Sequence, residues 1–166
     1  MTAAGHTFPN YNQLMGTKAA SISSLNGSIK IGAALIHVGS TFNWVAATQA
    51  YTTMSQFLAN AGSGGGGALT EETGAGYSRQ VVSSPTLSTS GLVTTFTTAT
   101  PLSWTSSTIS AVYLVLFDFT TTGIGSANDA TNMLLAYQDF GGTETDTAGT
   151  FTFTPNASGL ATWTAS

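Results

Sequence analysis

The chain has 166 residues, the usual length of a single domain. Only 6% of its residues are charged, against about 25% in an ordinary soluble protein, while 42% are hydrophobic. Three cations against seven carboxylates leave no basic surface for nucleic acid, and the absence of cysteine excludes disulfides and thiolate metal sites. A surface built from uncharged polar residues predicts burial against other proteins. A low-charge monomer kept in solution by hydroxyls and amides is the alternative.

The N-terminal part of the chain changes pattern several times. Residues 1–16 show no sustained period, which predicts an extended arm that lies on a neighbouring molecule. Residues 28–38 predict a strand. Apolar residues three and four positions apart within residues 46–61 predict one short amphipathic helix. The glycine-rich residues 62–67 that follow predict a flexible loop.

The rest of the chain is dominated by short runs rich in Thr, Val and aromatic residues, separated by turn residues. These runs predict strands over residues 77–82, 92–98, 109–119, 133–140, 149–154 and 160–163. Residues 109–119 are apolar at successive positions, which predicts a central strand covered on both faces. About seven strands and little helix predict an all-β fold, mainly an antiparallel β-sandwich or jelly-roll-like arrangement, with residues 17–166 forming one domain.

Groups suited to chemistry are few. His6 lies in the predicted arm, and His37 ends a strand with no carboxylate close in sequence. The nucleophile pattern Gly-x-Ser-x-Gly is absent. We therefore predict no catalytic residue and no bound cofactor. Asp139, Glu144 and Asp146 are weak candidates for a hard cation such as calcium, although solvated turn carboxylates are the favoured interpretation.

Two further features point to the surface of the molecule. Glu71 and Glu72 are adjacent, and we interpret them as solvated turn carboxylates. Most aromatic residues lie in predicted strands, where burial in the core explains them. Four aromatic residues outside the β-rich half are costly in water, and we predict that they anchor in a neighbour's pockets. These interface candidates are Phe8, Tyr11, Phe42 and Trp44.

Six short pieces follow one another with a characteristic order and spacing, and together they cover most of the chain after residue 28. They are Ile29-Lys30-Ile31, Thr73-Gly74-Ala75-Gly76-Tyr77, Leu102-Ser103-Trp104, Ala111-Val112-Tyr113, Leu134-Leu135-Ala136-Tyr137-Gln138-Asp139-Phe140-Gly141 and Ala148-Gly149-Thr150-Phe151-Thr152-Phe153. In these pieces the run from residue 72 to residue 163 resembles a family of small virion structural proteins of tailed bacteriophages. The sequence departs from that family at residues 42–67 and at residues 160–166.

The resemblance implies a β-sandwich virion subunit without catalytic residues, present in many copies. We expect a capsid decoration (cement) protein that lies on the outer capsid surface rather than on the tail. Its expected partners are the major capsid protein and copies of itself, as a homotrimer. A tail or fibre component that contacts the host and a carbohydrate-binding module are the alternatives. We expect no membrane partner, because the longest apolar run, residues 111–117, is too short to span a bilayer.

Overall fold

The computed structural model describes residues 4–8, 30–39, 41–60, 67–90, 93–98, 100–155 and 160–164. Eight strands and two short α-helices are found in these ranges. The strands are β1 (Ala4–Thr7), β2 (Ile31–His37), β3 (Gln80–Val81), β4 (Pro85–Ser90), β5 (Val93–Thr98), β6 (Leu102–Asp118), β7 (Met133–Phe153) and β8 (Ala161–Thr164). The helices are α1 (Ala46–Gln49) and α2 (Met54–Ala59).

The strands form two sheets in which every pairing is antiparallel. The large sheet has the order β1-β7-β6-β2-β3, and the small sheet has the order β4-β5-β8. One cluster of buried apolar residues contains members from both sheets, including Leu35, Leu116 and Phe96. The predicted all-β, mainly antiparallel sandwich-like fold is confirmed.

The two longest strands, β6 and β7, bend sharply along their length. The rings of Phe140 and Phe153, both in β7, lie 5.9 Å apart between centroids, whereas 13 residues of straight strand span about 43 Å. The β6–β7 register shifts between Thr105 and Ser107 and again between Ala111 and Tyr113. Such bulges increase the local bend and allow one strand to contribute to two layers of a sandwich.

The centre of β6 is covered on both faces, as its apolar run predicted. Leu114 and Leu116 belong to the inter-sheet cluster. Val115 and Phe117 belong to a second cluster on the opposite face of the large sheet. This second cluster is rich in aromatic rings and includes residues of α2 and of the segment that precedes it. The large sheet is therefore the middle layer of the molecule.

Two helices replace the single helix predicted over residues 46–61. Thr53 has extended backbone and forms a β-bridge with Met133, while the Leu134 amide donates to the carbonyl of Thr52 at 2.9 Å. These contacts with the start of β7 interrupt the helical hydrogen bonds between α1 and α2. Thr53 then caps α2, because its hydroxyl accepts from the Gln56 amide and the Gln56 side chain accepts from the Thr53 amide.

The described part of the predicted N-terminal arm belongs to the large sheet. Residues 4–7 form β1, which pairs with residues 136–139 of β7, and the Phe8 amide donates to the carbonyl of Leu135 at 2.8 Å. This part of the chain lies on its own sheet. Residues 9–16 of the predicted arm and residues 62–66 of the predicted loop lie outside the described residues.

Candidate functional site

Charge is concentrated in one place on the large sheet. Four of the chain's ten charged residues, Glu71, Glu72, Arg79 and Asp129, lie in or beside a cleft of about 510 Å³. The cleft is bounded by the segment that precedes β3 and by the loop between β6 and β7. We call these four residues, together with Tyr77 and His37, the acid–arginine cluster. In a chain with so little charge, this concentration marks the strongest candidate site among the described residues.

Arg79 is the centre of this cluster, and its side chain is only 6% exposed. Its Nε and Nη2 atoms donate to the two carboxylate oxygens of Glu71 at 2.9 and 2.6 Å. Its Nη1 and Nη2 atoms donate to the two oxygens of Asp129 at 2.6 and 2.9 Å, and Nη1 also donates to the Ile124 carbonyl at 3.0 Å. The guanidinium lies over the ring of Phe117, 5.2 Å from its centroid. All five N–H groups are therefore used within the chain.

The ionisation of Arg79 and Tyr77 is fixed by the same contacts. Burial by itself lowers the pKa of Arg79, but the hydrogen bonds and charges of Glu71 and Asp129 raise that pKa overall. Burial and the neighbouring Glu71 carboxylate raise the pKa of Tyr77. The Tyr77 hydroxyl donates to Glu71 at 2.7 Å and accepts from the Leu35 amide at 3.1 Å. Tyr77 is therefore a neutral hydrogen-bonding link between Glu71 and β2.

Glu72 is 3% exposed, which corrects its interpretation as a solvated turn carboxylate. Burial acts to raise its pKa, but hydrogen bonds to the carboxylate outweigh burial and lower the pKa below its usual value of 4.5. The donors are His37 Nδ1 at 3.0 Å and the backbone amides of Ser110 at 2.9 Å, Thr73 at 2.8 Å and Gly74 at 2.7 Å. Each carboxylate oxygen of Glu72 has two partners.

The hydrogen bonds of the cluster connect elements that are distant in sequence. Glu72 joins the end of β2 to β6 through His37 and Ser110. Arg79 joins the segment before β3 to the loop between β6 and β7 through Glu71 and Asp129. These hydrogen bonds hold together segments that are far apart along the chain.

The three weak metal candidates do not converge. Asp146 accepts from the Ser107 hydroxyl and from the Gly149 amide, both at 3.1 Å. Asp139 accepts from the Gly141 amide at 2.8 Å, and Glu144 lies opposite Ala111 in the β6–β7 ladder. Within the described residues, no three His, Cys, Asp or Glu side chains are grouped so that they can hold a metal ion. Asp139, Glu144 and Asp146 instead occupy separate positions along β7.

The structure corrects two of the four interface candidates. Phe8 is 0% exposed and Phe42 is 7% exposed, because both rings belong to the aromatic cluster on the outer face of the large sheet. Trp44 is partly buried and packs on the same cluster, with its ring centroid 4.8 Å from that of His6. Tyr11 lies outside the described residues. Phe8 and Phe42 are core residues and are not available to a neighbour's pocket.

Sequence reasoning did not find the Arg79 pairings, since 50 residues separate Arg79 from Asp129. One signal was present in the sequence, because Arg79 is the chain's only arginine and lies close to two adjacent glutamates. The partnership with Asp129 depends on how the loop after β6 folds back towards Arg79. No pattern in the sequence indicates that path.

Comparisons with protein-family profiles, with curated protein sequences and with solved structures found no match. Within the described part of the chain, no helix has the length and apolar character needed to cross a bilayer.

Proposed function

We propose that the chain is a non-enzymatic structural protein of a tailed-bacteriophage virion, and in particular a capsid decoration protein. The observation that carries this proposal is that most charged side chains make hydrogen bonds within the chain. Nine of the ten charged residues lie in the described part of the chain, and seven of these are hydrogen-bonded to the chain itself. The seven are Glu71, Glu72, Arg79, Asp118, Asp129, Asp139 and Asp146.

Internal use of charge leaves an outer surface of uncharged polar groups. The outward face of the β6–β7 ribbon illustrates this composition, because hydroxyl side chains lie opposite each other in successive cross-strand pairs. The pairs are Ser103 with Thr152, Thr105 with Thr150, Thr108 with Thr147 and Ser110 with Thr145. We call this face the hydroxyl ribbon. An uncharged, hydrogen-bonding face avoids the cost of desolvating ions when a second protein surface covers it.

The proposed mechanism is adhesive. Each copy contributes a modest contact between major capsid subunits, and the symmetry of the shell repeats that contact many times. A ligand that binds only the assembled state stabilises it by mass action, and no bond is made or broken. The resemblance to small virion proteins in residues 72–163 supports this assignment independently of the composition.

Binding to capsids tests the proposal directly. Capsids from a phage lacking this gene are mixed with the purified chain, and we measure bound protein and the temperature at which the shell opens. We expect saturable binding and a higher opening temperature. Thr150→Glu on the hydroxyl ribbon should weaken binding, whereas Thr121→Glu, an exposed turn residue outside the ribbon, should not. Absence of binding by the wild-type chain would contradict the proposal.

Deletion of the N-terminus is a poor test of shell binding. Removing residues 1–16 also removes β1 and the buried Phe8, so the sandwich itself is damaged.

The carbohydrate-binding alternative receives little support from the described residues. No aromatic side chain with described burial is exposed, and sugar-binding proteins commonly present such a ring to their ligand. A tail or fibre location is tested by imaging the particle.

A further inference from the structure

The small sheet has no ionisable side chain in any of its three strands. The strand sequences are PTLSTS in β4, VTTFTT in β5 and ATWT in β8. Among the described residues, β4 pairs only with β5 and forms one edge of this sheet. An edge strand presents unpaired backbone N–H and C=O groups, which proteins commonly guard with charges, bulges or very short strands. β4 has six residues in unbroken register with β5, and only Pro85 at its first position acts as a guard.

Three other strand edges in the described part of the chain are short or lie against another strand. β3 has only two residues, and β1 has four. β1 also lies close to β8, so these two strands approach each other where the two sheets meet.

The β6–β7 ribbon also has edges without a described strand partner, because β2 pairs only with residues 111–118 of β6 and β1 only with residues 136–139 of β7. On that ribbon, however, β6 is bulged between Thr105 and Ser107, and β7 carries Glu144 and Asp146. Among the described residues, β4 is therefore the longest edge that combines unbroken register with an absence of charge. Its Thr86, Ser88 and Ser90 side chains are exposed.

We propose that β4 pairs antiparallel with β4 of a second copy of this chain across a two-fold axis. The contact would join two small sheets into one continuous sheet of six strands in the order β8-β5-β4-β4-β5-β8. A free edge offers backbone donors and acceptors, and the partner that satisfies them is another strand. The inference deepens the proposed assembly function by naming one partner and the surface that it uses.

The composition of β4 selects a second copy as that partner. A two-fold contact brings the same patch of both subunits together, so any charge on the strand would face its own copy. β4 carries no charge, and no charged residue occurs anywhere between Arg79 and Asp118. Self-pairing therefore involves no like-charge repulsion. Pairs of Ser and Thr across strands are favourable, and β4 contains four such residues.

The first experiment measures self-association of the purified full-length chain by sedimentation across a range of concentrations. We expect a reversible monomer–dimer equilibrium. Ser88→Lys places two ammonium groups near the two-fold axis, and we expect it to raise the dimer dissociation constant at least about tenfold. Thr145→Lys is the matched control, because it adds the same charge at an exposed strand position on β7, away from the small sheet. A chain that remains monomeric, or a Ser88→Lys variant that associates like the control, would overturn the proposal.

The second experiment locates the contact by cross-linking, which is straightforward because the chain has no cysteine. Single cysteines are placed at Thr86, Ser88 and Ser90, with Thr145→Cys as the control. Opposite residues in an antiparallel pair have Cα atoms about 4.5–5.5 Å apart, within the range that a disulfide spans. We expect a covalent dimer from a β4 position near the axis and none above background from Thr145→Cys. Equal cross-linking at all four positions would contradict pairing through β4.

Both experiments use the chain alone and are independent of the virion. A chain that dimerises through β4 but does not bind capsids supports this inference and contradicts the proposed function. A chain that binds capsids as a monomer supports the proposed function and contradicts this inference. The sequence predicts a homotrimer. If the chain forms a trimer whose stability is unchanged by Ser88→Lys, a two-fold β4 contact is excluded.

Discussion

At the scale of single residues, Arg79 has the densest set of polar contacts in the described part of the chain. Its guanidinium satisfies two carboxylates and a backbone carbonyl, and its exposed fraction is 6%. A buried ion pair adds little net stability compared with a well-packed apolar replacement, but loss of one partner leaves the other charges uncompensated. Removal of the Arg79 side chain would therefore leave the carboxylates of Glu71 and Asp129 without their counter-charge.

We expect Arg79→Met to lower the free energy of unfolding by about 3 kcal/mol. Arg79→Lys should cost less, because it keeps the charge but loses the forked geometry that contacts both carboxylates. Urea denaturation measures both changes, with Lys30→Met as a control for loss of an exposed cation. Equal stability of wild type and Arg79→Met would show that the ion pairs do not hold this region together.

Glu72 gives the fold a dependence on pH. Its folded-state pKa lies below the usual value of 4.5, so its contribution to stability is fully present above that value and is lost as the pH falls through the folded-state pKa. We expect Glu72→Gln to be less stable than wild type at pH 7 and the difference to shrink at pH 3. Denaturation at the two pH values measures this change, with Glu144→Gln as the control. A difference that is the same at both pH values would contradict the assignment.

At the scale of elements, the turn before β3 is fitted closely to the bulged part of β6. A Cβ atom on Gly74 would lie 1.8 Å from the backbone oxygen of Thr108, and the Thr108 amide donates to the Ala75 carbonyl at 2.8 Å. Gly76 has a φ of +75°, which L side chains rarely adopt. The glycines of this turn therefore allow two backbones to approach and place Glu72 at its donors.

We expect Gly74→Ala to destabilise the fold by at least about 1–3 kcal/mol, because either the turn or β6 must move. Gly142→Ala is the matched control, since no atom lies within 4 Å of its added Cβ and alanine restricts the unfolded chain. That control should be neutral or slightly stabilising. Thermal unfolding compares the two, and similar melting temperatures would indicate that the turn is not closely packed on β6.

Local pattern predicted the elements whose burial is uniform along the chain. The apolar run at residues 109–119 predicted the covered centre of β6, because both of its faces are apolar. The same reasoning divided β7 into two strands, since its middle, from Gly141 to Thr147, is polar and lies on the outward side. It also missed β4, whose Ser- and Thr-rich sequence has no apolar alternation. A pattern of apolar residues predicts burial. The polar middle of β7 and the strand β4 are held instead by backbone hydrogen bonds to neighbouring strands, which leave no such pattern.

The candidate site was less predictable than the fold. Glu71 and Glu72 were recognised as an acidic pair, but their burial depends on partners from β2, β6 and the loop after β6. The aromatic residues Phe8 and Phe42 were expected at the surface because they precede the β-rich part of the chain. They are buried because β1 and the segment before α1 fold over the outer face of the large sheet. The position of these residues in the sequence, before the β-rich part of the chain, does not predict that they pack on the large sheet.

At the scale of the whole molecule, charge and hydroxyl groups are separated. The acid–arginine cluster places its charges inside the chain, whereas the small sheet and the hydroxyl ribbon carry uncharged polar residues. An isolated monomer usually relies on surface charge for solubility. The uncharged surfaces are therefore the ones that we propose to be covered, one by a second copy and one by the shell.

The location of the chain in the particle is the most direct test of its proposed role. Cryo-electron microscopy of the phage that encodes this chain is compared with the same phage after deletion of the gene. We predict density repeated over the outer capsid surface that is lost in the deletion strain. A difference confined to the tail, or particles that do not differ, would contradict a role in capsid decoration.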